Sequence, residues 1–365
     1  MIESGRLPEL VQDRIDAFLD SRTSILAPLG SDALDFAAVS REFLRGGKRF
    51  RALFCWWGWR AFAPSGSPSP ETVRVVVSAA ASLEIFHAAA LVHDDIIDNS
   101  DTRRGAPAAH VRFASTHAES DWRGDAGAFG RSSGILLGDL LLGWSDELLD
   151  EALESLPDRR VARAARLEFN RMRSEVTAGQ YLDILEEQAW GARTEAEQFE
   201  AAWRVIRFKS AGYSIESPLV LGAALAGADP ATLDALRAFG LPLGIAFQLR
   251  DDVLGVFGDA SVTGKPSGDD LREGKRTVLI ALTRAALPAP HVRIVDELLG
   301  DAELDDAGVA SLQATIRECG ALDRVEDLIR SHTDDSLAAL AALDIDDEAR
   351  SSLARLAHAV TDRKS

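Results

Sequence analysis

The sequence predicts an all-α protein folded as a single large helical bundle, and three observations predict it. Apolar residues recur at helical spacing along almost the whole chain. Runs of Val, Ile and Thr at strand spacing are scarce, while Ala, Leu, Arg and Glu dominate, residues that lose little conformational freedom in a helix. No break in composition and no short-period repeat divides the 365 residues, so one domain covering 1–365 is expected.

The elements follow in order. Leu10, Ile15, Phe18 and Leu19 open an amphipathic helix, and Leu34, Phe36, Val39 and Phe43 mark another. Gly46-Gly47-Lys48-Arg49-Phe50-Arg51 reads as a turn leading into a helix start. The Pro- and Ser-rich stretch Pro64 to Pro70 breaks the pattern, and a long apolar helix then runs from about Glu71 to Asp98. The polar stretch Asn99 to Gly130 predicts a loop with a short helix inside it. Further helices are predicted over 133–155, 157–189, 195–210, 212–226, 231–257 and 275–287. Phe257 to Gly274, with four glycines and a proline, reads as a long loop, the kind of segment that carries function in compact domains. The last ninety residues predict short helices with acidic faces.

Composition narrows the function. Hydrophobic residues make up 46%, enough for a sizeable core. The net charge of −18, from 40 basic and 58 acidic side chains, argues against nucleic acid or an anionic membrane as partner. An acidic chain that binds an anion must gather its positive charge locally. Cys55 sits in an apolar run and reads as a buried free thiol, so with only Cys319 besides, neither a disulfide framework nor a zinc site is expected. The N-terminus has no apolar signal core. The longest charge-free apolar stretch, Ser217 to Ala228, is too short to span a bilayer. A cytoplasmic protein without a membrane span is expected. The seven tryptophans, Trp56, Trp57 and Trp59 among them, lack an accompanying basic stripe and read as core.

Two aspartate clusters stand out. Asp94-Asp95-Ile96-Ile97-Asp98 ends the long apolar helix. Asp94 and Asp98 are four apart and share a face, while Asp95 points roughly 100° away. Like charges at that spacing destabilise a bare helix, and a C-terminus is the wrong end for anions. Mg²⁺, which favours hard oxygen ligands and bridges to phosphates, would neutralise them. The second cluster, Asp251-Asp252, also terminates an apolar stretch. One such pair is ordinarily a solvated helix end; two, each closing an apolar helix, point to cation binding around a diphosphate.

Basic residues gather where an anion site needs them. Lys48 and Arg51 flank a helix start preceded by two glycines, a setting that favours phosphate. Arg103 and Arg104 follow the first aspartates. Lys265 and Lys275 lie in the glycine-rich segment.

Together these residues resemble the trans-isoprenyl diphosphate synthases, the polyprenyl synthetase family, in particular bacterial geranylgeranyl diphosphate synthases. The resemblance runs in the family's order through GGKRFR (46–51), HAAALVHDDIIDNSDTRRG (87–105), GQYLD (179–183), Lys209-Ser210, FQLRDD (247–252) and GKPSGDDLREGKRT (264–277). It implies an isoprenoid synthase fold of roughly antiparallel helices around a deep central cavity, a homodimer, and head-to-tail condensation of isopentenyl diphosphate with a C5–C15 allylic diphosphate. It implies three Mg²⁺ ions, two on Asp94 and Asp98 and one on Asp251, with Asp95 and Asp252 in support. Lys209, Arg103 and Lys265 are implied to grip the allylic diphosphate, with Lys275 near it and Gln180, Asp183 and Gln248 lining the same site. Lys48, Arg51, His87 and Arg104 are implied to bind the diphosphate of isopentenyl diphosphate. His93, next to Asp94, reads as a structural neighbour. No Ser-His-Asp or Cys-His arrangement is needed.

One position departs from the pattern. The family's second motif usually reads DDxxD, but here it is Asp251-Asp252-Val253-Leu254-Gly255, which puts tight binding of the third metal in question. Ser210, where Thr is usual, is minor. Product length in the family depends on side chains before the first motif. Ala89 and Ala90 are small and leave the pocket open. Phe86, on the Asp94 stripe and about 12 Å below it, would form the floor, predicting geranylgeranyl diphosphate (C20), with C15 or C25 and longer products as alternatives. Two rivals remain. A class I terpene cyclase would use one substrate, which GGKRFR, His87 and the second aspartate pair argue against. A non-catalytic partner subunit is favoured only by Gly255. Arg363 and Lys364 read as an unstructured tail.

Overall fold

Proline and capping residues start the helices where the apolar pattern begins. A computed structural model of the chain describes residues 6–64, 66–259, 267–301 and 303–362. Lys265, Arg363 and Lys364 lie outside the described residues. The chain is all-α apart from one two-stranded ribbon among the described residues. It divides into two compact units, Met1–Arg166 with Leu221–Gly227, and Leu167–Val220 with Ala228–Ser365.

In the first unit, α1 (Leu7–Leu26), α2 (Ser31–Phe43) and α3 (Phe50–Phe62) precede the long helix α4 (Pro70–Ile97). Ser69 caps α4 by accepting from the Thr72 N–H at 3.1 Å, and Pro70 occupies the first helical position. α4 is long and apolar enough to cross a membrane by length and composition, but most of it is buried within the protein, as in a core helix. It packs along α6 (Ala126–Glu154), where Ser145 donates to the Ser82 carbonyl at 2.8 Å. Trp56, Trp57 and Trp59 are buried on α3, as core residues.

The segment after α4 is more ordered than its polarity predicts. Thr102–Arg103 (β1) pairs antiparallel with Ala106–Pro107 (β2), in the register Thr102↔Pro107 and Arg103↔Ala106. The connecting pair Arg104-Gly105 has positive φ at both residues, 54° and 75°, as tight two-residue hairpin turns require. α5 (Ala109–Glu119) follows, and α6 begins seven residues earlier than the periodicity predicts, because Asp125 caps it by accepting from the Ala128 N–H.

The second unit takes up α7 (Arg159–Ala189) from Leu167 on, then α8 (Glu195–Val205), which opens with a capping box between Thr194 and Glu197. The expected break near residue 211 is absent. The chain instead widens into a π-helix, Ile206–Glu216, which runs directly into α9 (Ser217–Leu225). Such insertions keep the helical direction, so periodicity alone cannot reveal them. α10 (Pro230–Phe257) carries the second aspartate cluster. The presumed loop before residue 274 contains a one-turn helix, α11 (Asp269–Glu273), bracketed by Gly268 and Gly274 with φ of 74° and 77°. Thr277, which accepts from the Ile280 N–H, starts α12 (Val278–Ala286) later than expected. α13 (Ala289–Leu298), α14 (Asp306–Glu318), α15 (Ala321–Ala342) and α16 (Asp347–Thr361) complete the unit, α15 longer than the short helices predicted. Val253, Leu271, Ile280 and Leu312 share its core.

Candidate active site

The first aspartate cluster closes α4 as predicted. Asp98 is the C-cap, its N–H donating to the Asp94 carbonyl at 2.8 Å. Asp94 and Asp98 are partly exposed, whereas Asp95 is buried. The ribbon answers that buried charge. Arg103 Nε donates to Asp95 Oδ1 at 2.8 Å, and Arg103 Nη2 lies 3.8 Å from Asp94 Oδ2. The hairpin turn thus brings Arg103, implied by resemblance to bind substrate, onto the aspartates themselves. His93 reaches the Ile135 carbonyl at 3.2 Å and Asp139 at 3.6 Å, a structural role that agrees with the expectation.

A cationic group forms in the same unit. Gly46 and Gly47, both with positive φ, turn the chain so that Arg49 caps α3 from a left-handed conformation. The buried Glu84 of α4 holds that start in place. Its carboxylate accepts from the Ala52 N–H at 3.1 Å and from Arg49 Nη1 at 3.3 Å, satisfying an otherwise unpaired donor at a helix N-terminus. Arg49 also donates to Gln12 and to the Leu44 carbonyl. Arg49 is therefore a support, while Lys48 is exposed and Arg51 half-buried. Arg104 Nη1 donates to the Arg45 carbonyl at 3.3 Å. Loss of hydration holds the His87 imidazolium well below the usual histidine range, and the nearby guanidinium groups of Arg51, Arg104, Arg103 and Arg49 add to this. Burial lowers the Arg104 pKa as well, with Arg49 next in effect. The fold thus brings His87, Arg51 and Arg104 into one field of positive charge. Phe86 and Ala89 are buried on α4, and Ala90 is half-buried.

In the second unit a pocket of about 110 Å³ is lined by residues from separated motifs, among them Asp183, Lys209, Gln248, Asp252, Asp270 and Lys275. Gln180 precedes Asp183 by one turn of α7 and is half-buried. The Asp183 carboxylate accepts from Lys209 of the π-helix and lies 3.7 Å from Lys275 Nζ, which also donates to Glu187 at 3.3 Å. Gly179 makes this approach possible, since a Cβ there would sit 2.4 Å from the Lys209 backbone N. Gln248 Nε2 donates to Asp252 Oδ1 at 2.7 Å across one turn of α10. Asp251 is half-buried and does not line this pocket; its neighbour Asp252 does.

Burial pushes the Asp252 carboxyl well above the usual carboxylate range; the Gln248 hydrogen bond opposes that, and Asp270, Asp251 and Asp183 add to it. Its Oδ2 is buried without a hydrogen-bond partner. An orphaned hard oxygen among like charges suits a divalent cation that seeks oxygen ligands. Among the described residues no three side chains form a ready-made metal cage. Mg²⁺ characteristically takes one or two carboxylates and completes its shell with water and substrate phosphate, so the donor set fits that ion. Sequence reasoning missed three contributors. Arg250 of FQLRDD clamps Glu326 through two bonds of 2.6 and 2.8 Å and donates to the Thr361 carbonyl, holding α15 and α16 to α10. Glu84 and Asp270 are the others, and only the charge in the apolar run before His87 hinted at the first.

The Polyprenyl synthetase family model matches residues 35–316. The chain is 31% identical over 323 residues to the geranylfarnesyl diphosphate synthase of Aeropyrum pernix, covering 85% of this chain and 92% of that one. It is 31% identical over 292 residues to the geranylgeranyl diphosphate synthase of Saccharolobus solfataricus, covering 80% and 79%. A crystal structure of geranylgeranyl pyrophosphate synthase from Corynebacterium glutamicum, complexed with isoprenyl diphosphate and magnesium, superposes with a TM-score of 0.92 at 41% identity over the whole of both chains. With the motifs, the helical architecture and these similarities in agreement, the chain belongs to the polyprenyl synthetase family of prenyltransferases.

Proposed function

We propose that this prenyltransferase is a Mg²⁺-dependent enzyme of one polyprenyl synthetase domain, 1–365, whose main product is geranylgeranyl diphosphate. The observation that carries the reading is the pocket lined by Asp183, Lys209, Gln248, Asp252 and Lys275, which collects cation-seeking and anion-seeking side chains from four separate segments. The similarity to geranylgeranyl diphosphate synthases supports the product. So do the small side chains of Ala89 and Ala90 above Phe86.

In this reading Asp94, Asp98 and Asp251 hold the Mg²⁺ ions, three in all, with Asp95 and Asp252 in support. When bound, Mg²⁺ supplies positive charge to the departing diphosphate. Arg103, Lys209 and Lys265 grip the oxygens of the allylic diphosphate, with Lys275 near that group, and stabilise the charge that develops as its C–O bond breaks. Gln180, Asp183 and Gln248 orient these groups. Lys48, Arg51 and Arg104 bind the diphosphate of isopentenyl diphosphate. His87, kept neutral, contributes a hydrogen bond there rather than a charge. The double bond of isopentenyl diphosphate attacks the allylic carbocation, and the released diphosphate accepts the proton that is lost. A homodimer in the cytoplasm, without a membrane span or bound nucleic acid, completes the reading.

The test is to incubate the purified protein with Mg²⁺, labelled isopentenyl diphosphate and each of the C5, C10 and C15 allylic diphosphates, then size the dephosphorylated products. A C20 alcohol that disappears with EDTA is expected. Elongation that persists in EDTA would overturn the metal dependence, and a C15 or C25 main product would overturn the chain length.

A further inference from the structure

The π-helix Ile206–Glu216 carries Lys209 in its first half. Its wide ladder persists to the end, where the Ser217 N–H donates to the Gly212 carbonyl, five residues back. Eleven residues is long for this geometry, which usually lasts a single turn and recurs at functional sites. Contacts from outside the segment must therefore hold it. On one side Gly179 of α7 meets the Lys209 backbone. On the other, α10 brings up two glycines one turn apart. A Cβ on Gly244 would fall 2.4 Å from the Ala211 carbonyl oxygen, and one on Gly240 would fall 2.9 Å from the Glu216 Cα. The wide segment is thus seated backbone against backbone at three points, each of which only a glycine admits.

A closed set of charges fastens its last residue. Glu216 is buried. Its Oε1 accepts from Arg171 Nη2 of α7 at 3.3 Å and lies 3.6 Å from Arg237 Nε of α10. Glu168 of α7 completes the set. Its carboxylate accepts two bonds from Arg237 Nη2, at 2.8 and 2.7 Å, and lies 3.2 Å from Arg171 Nη2. Burial pushes the Glu216 carboxyl up from its usual range, and Arg171 and Arg237 oppose that. Two acids and two bases from three elements thus compensate one another away from water. None of the four lines the pocket of Asp183 and Lys209.

We propose that this charge set is a positioning device. By fastening Glu216 to α7 and α10 it fixes the register of the wide turns, and with it the direction in which Lys209 leaves the segment toward Asp183 and the allylic diphosphate. This role rests on the reading of Lys209 as a ligand of that diphosphate. A buried ion set adds little net stability over an apolar one, but it selects one arrangement against others. Here the competing arrangement is the ordinary α ladder, which would redirect the side chains between Ile206 and Glu216. Glu216 touches no substrate in this role and acts through Lys209.

The experiment is steady-state kinetics on the full chain with Mg²⁺, varying isopentenyl diphosphate and the allylic diphosphate that the protein elongates best. The variants are Glu216→Gln, Glu216→Ala, Lys209→Ala and the double variant Lys209→Ala/Glu216→Gln. Glu216→Gln is expected to lower kcat/KM for the allylic substrate by about 10-fold and Glu216→Ala by about 100-fold. The KM for isopentenyl diphosphate should change less than about 2-fold in both. In the Lys209→Ala background, Glu216→Gln should cost less than about 2-fold, because the group it positions is gone. Unchanged allylic kinetics in both Glu216 variants, with a loss in Lys209→Ala, overturns the positioning role alone. Unchanged allylic kinetics in Lys209→Ala overturns the reading of Lys209 on which it rests. Equal rises in KM for both substrates, or a Glu216→Gln cost that is the same with and without Lys209, overturns the action through Lys209 and leaves the charge set a plain structural contact. Glu216→Gln removes only the charge, so it decides the matter even if Glu216→Ala does not fold.

Discussion

Arg103 reaches back from the ribbon to Asp95, its Nε donating to Oδ1 at 2.8 Å, while the Asp95 side chain is 1% exposed. One guanidinium thus answers a carboxylate that has little water to solvate it. Removing one partner of such a pair leaves a buried charge uncompensated and costs about 3 kcal/mol. Arg103→Ala is expected to lower the urea midpoint accordingly with an unchanged m value. Arg103→Lys keeps the charge but not the planar fork and should recover only part of the loss. A midpoint equal to that of the unsubstituted protein would show that the Asp95 charge is solvated by other means.

His87 should leave a signature in the pH dependence of stability. Its folded pKa is held down by burial and by four guanidinium groups, so in acid the unfolded chain takes up a proton that the folded chain refuses. Its contribution is therefore constant above about pH 6.5, the ordinary histidine value. It falls by up to about 1.4 kcal/mol per pH unit below that, until the folded pKa is reached. His87→Gln should flatten the decline in melting temperature between pH 7 and pH 5. Parallel pH curves for the two proteins would contradict this.

Gly179 sets the distance between α7 and the segment that carries Lys209. A methyl group there would sit 2.4 Å from the Lys209 N and 2.5 Å from the Phe208 backbone carbon, so backbone must move. Gly179→Ala is expected to destabilise by about 1–3 kcal/mol. It should lower kcat/KM for the allylic substrate by at least about 10-fold, because misplaced binding groups lose transition-state contacts. Steady-state kinetics beside thermal melting separates the two effects.

Phe86, buried on α4, carries the chain-length prediction. Phe86→Ala is expected to shift the main product from C20 to longer prenyl chains and to destabilise by about 3 kcal/mol. Chromatography of the dephosphorylated products decides it. An unchanged product spectrum would remove Phe86 as the floor and leave it a core residue.

The two cysteines should differ in reactivity. Burial pushes the Cys55 thiol up to about 12, whereas Cys319 is partly exposed. A thiol reagent at pH 8 should modify Cys319 in the folded protein and reach Cys55 only on unfolding. Two fast equivalents in native buffer would contradict the buried assignment.

The chain's own order of residues determined that it is helical, where most helices run, and which segments carry acid and base. These are local properties. A helix that must bury one stripe repeats apolar residues every three or four positions, and a metal- or diphosphate-binding motif keeps its donors on one turn. The ends of α4 and α10, with Asp94, Asp98, Asp251 and Asp252, are legible for that reason. The tertiary structure alone decided how side chains from different helices meet. It set Arg103 on Asp95, fastened the α3 start to Glu84, and let Lys209 approach α7 over Gly179. Each of these depends on docking between elements distant in sequence.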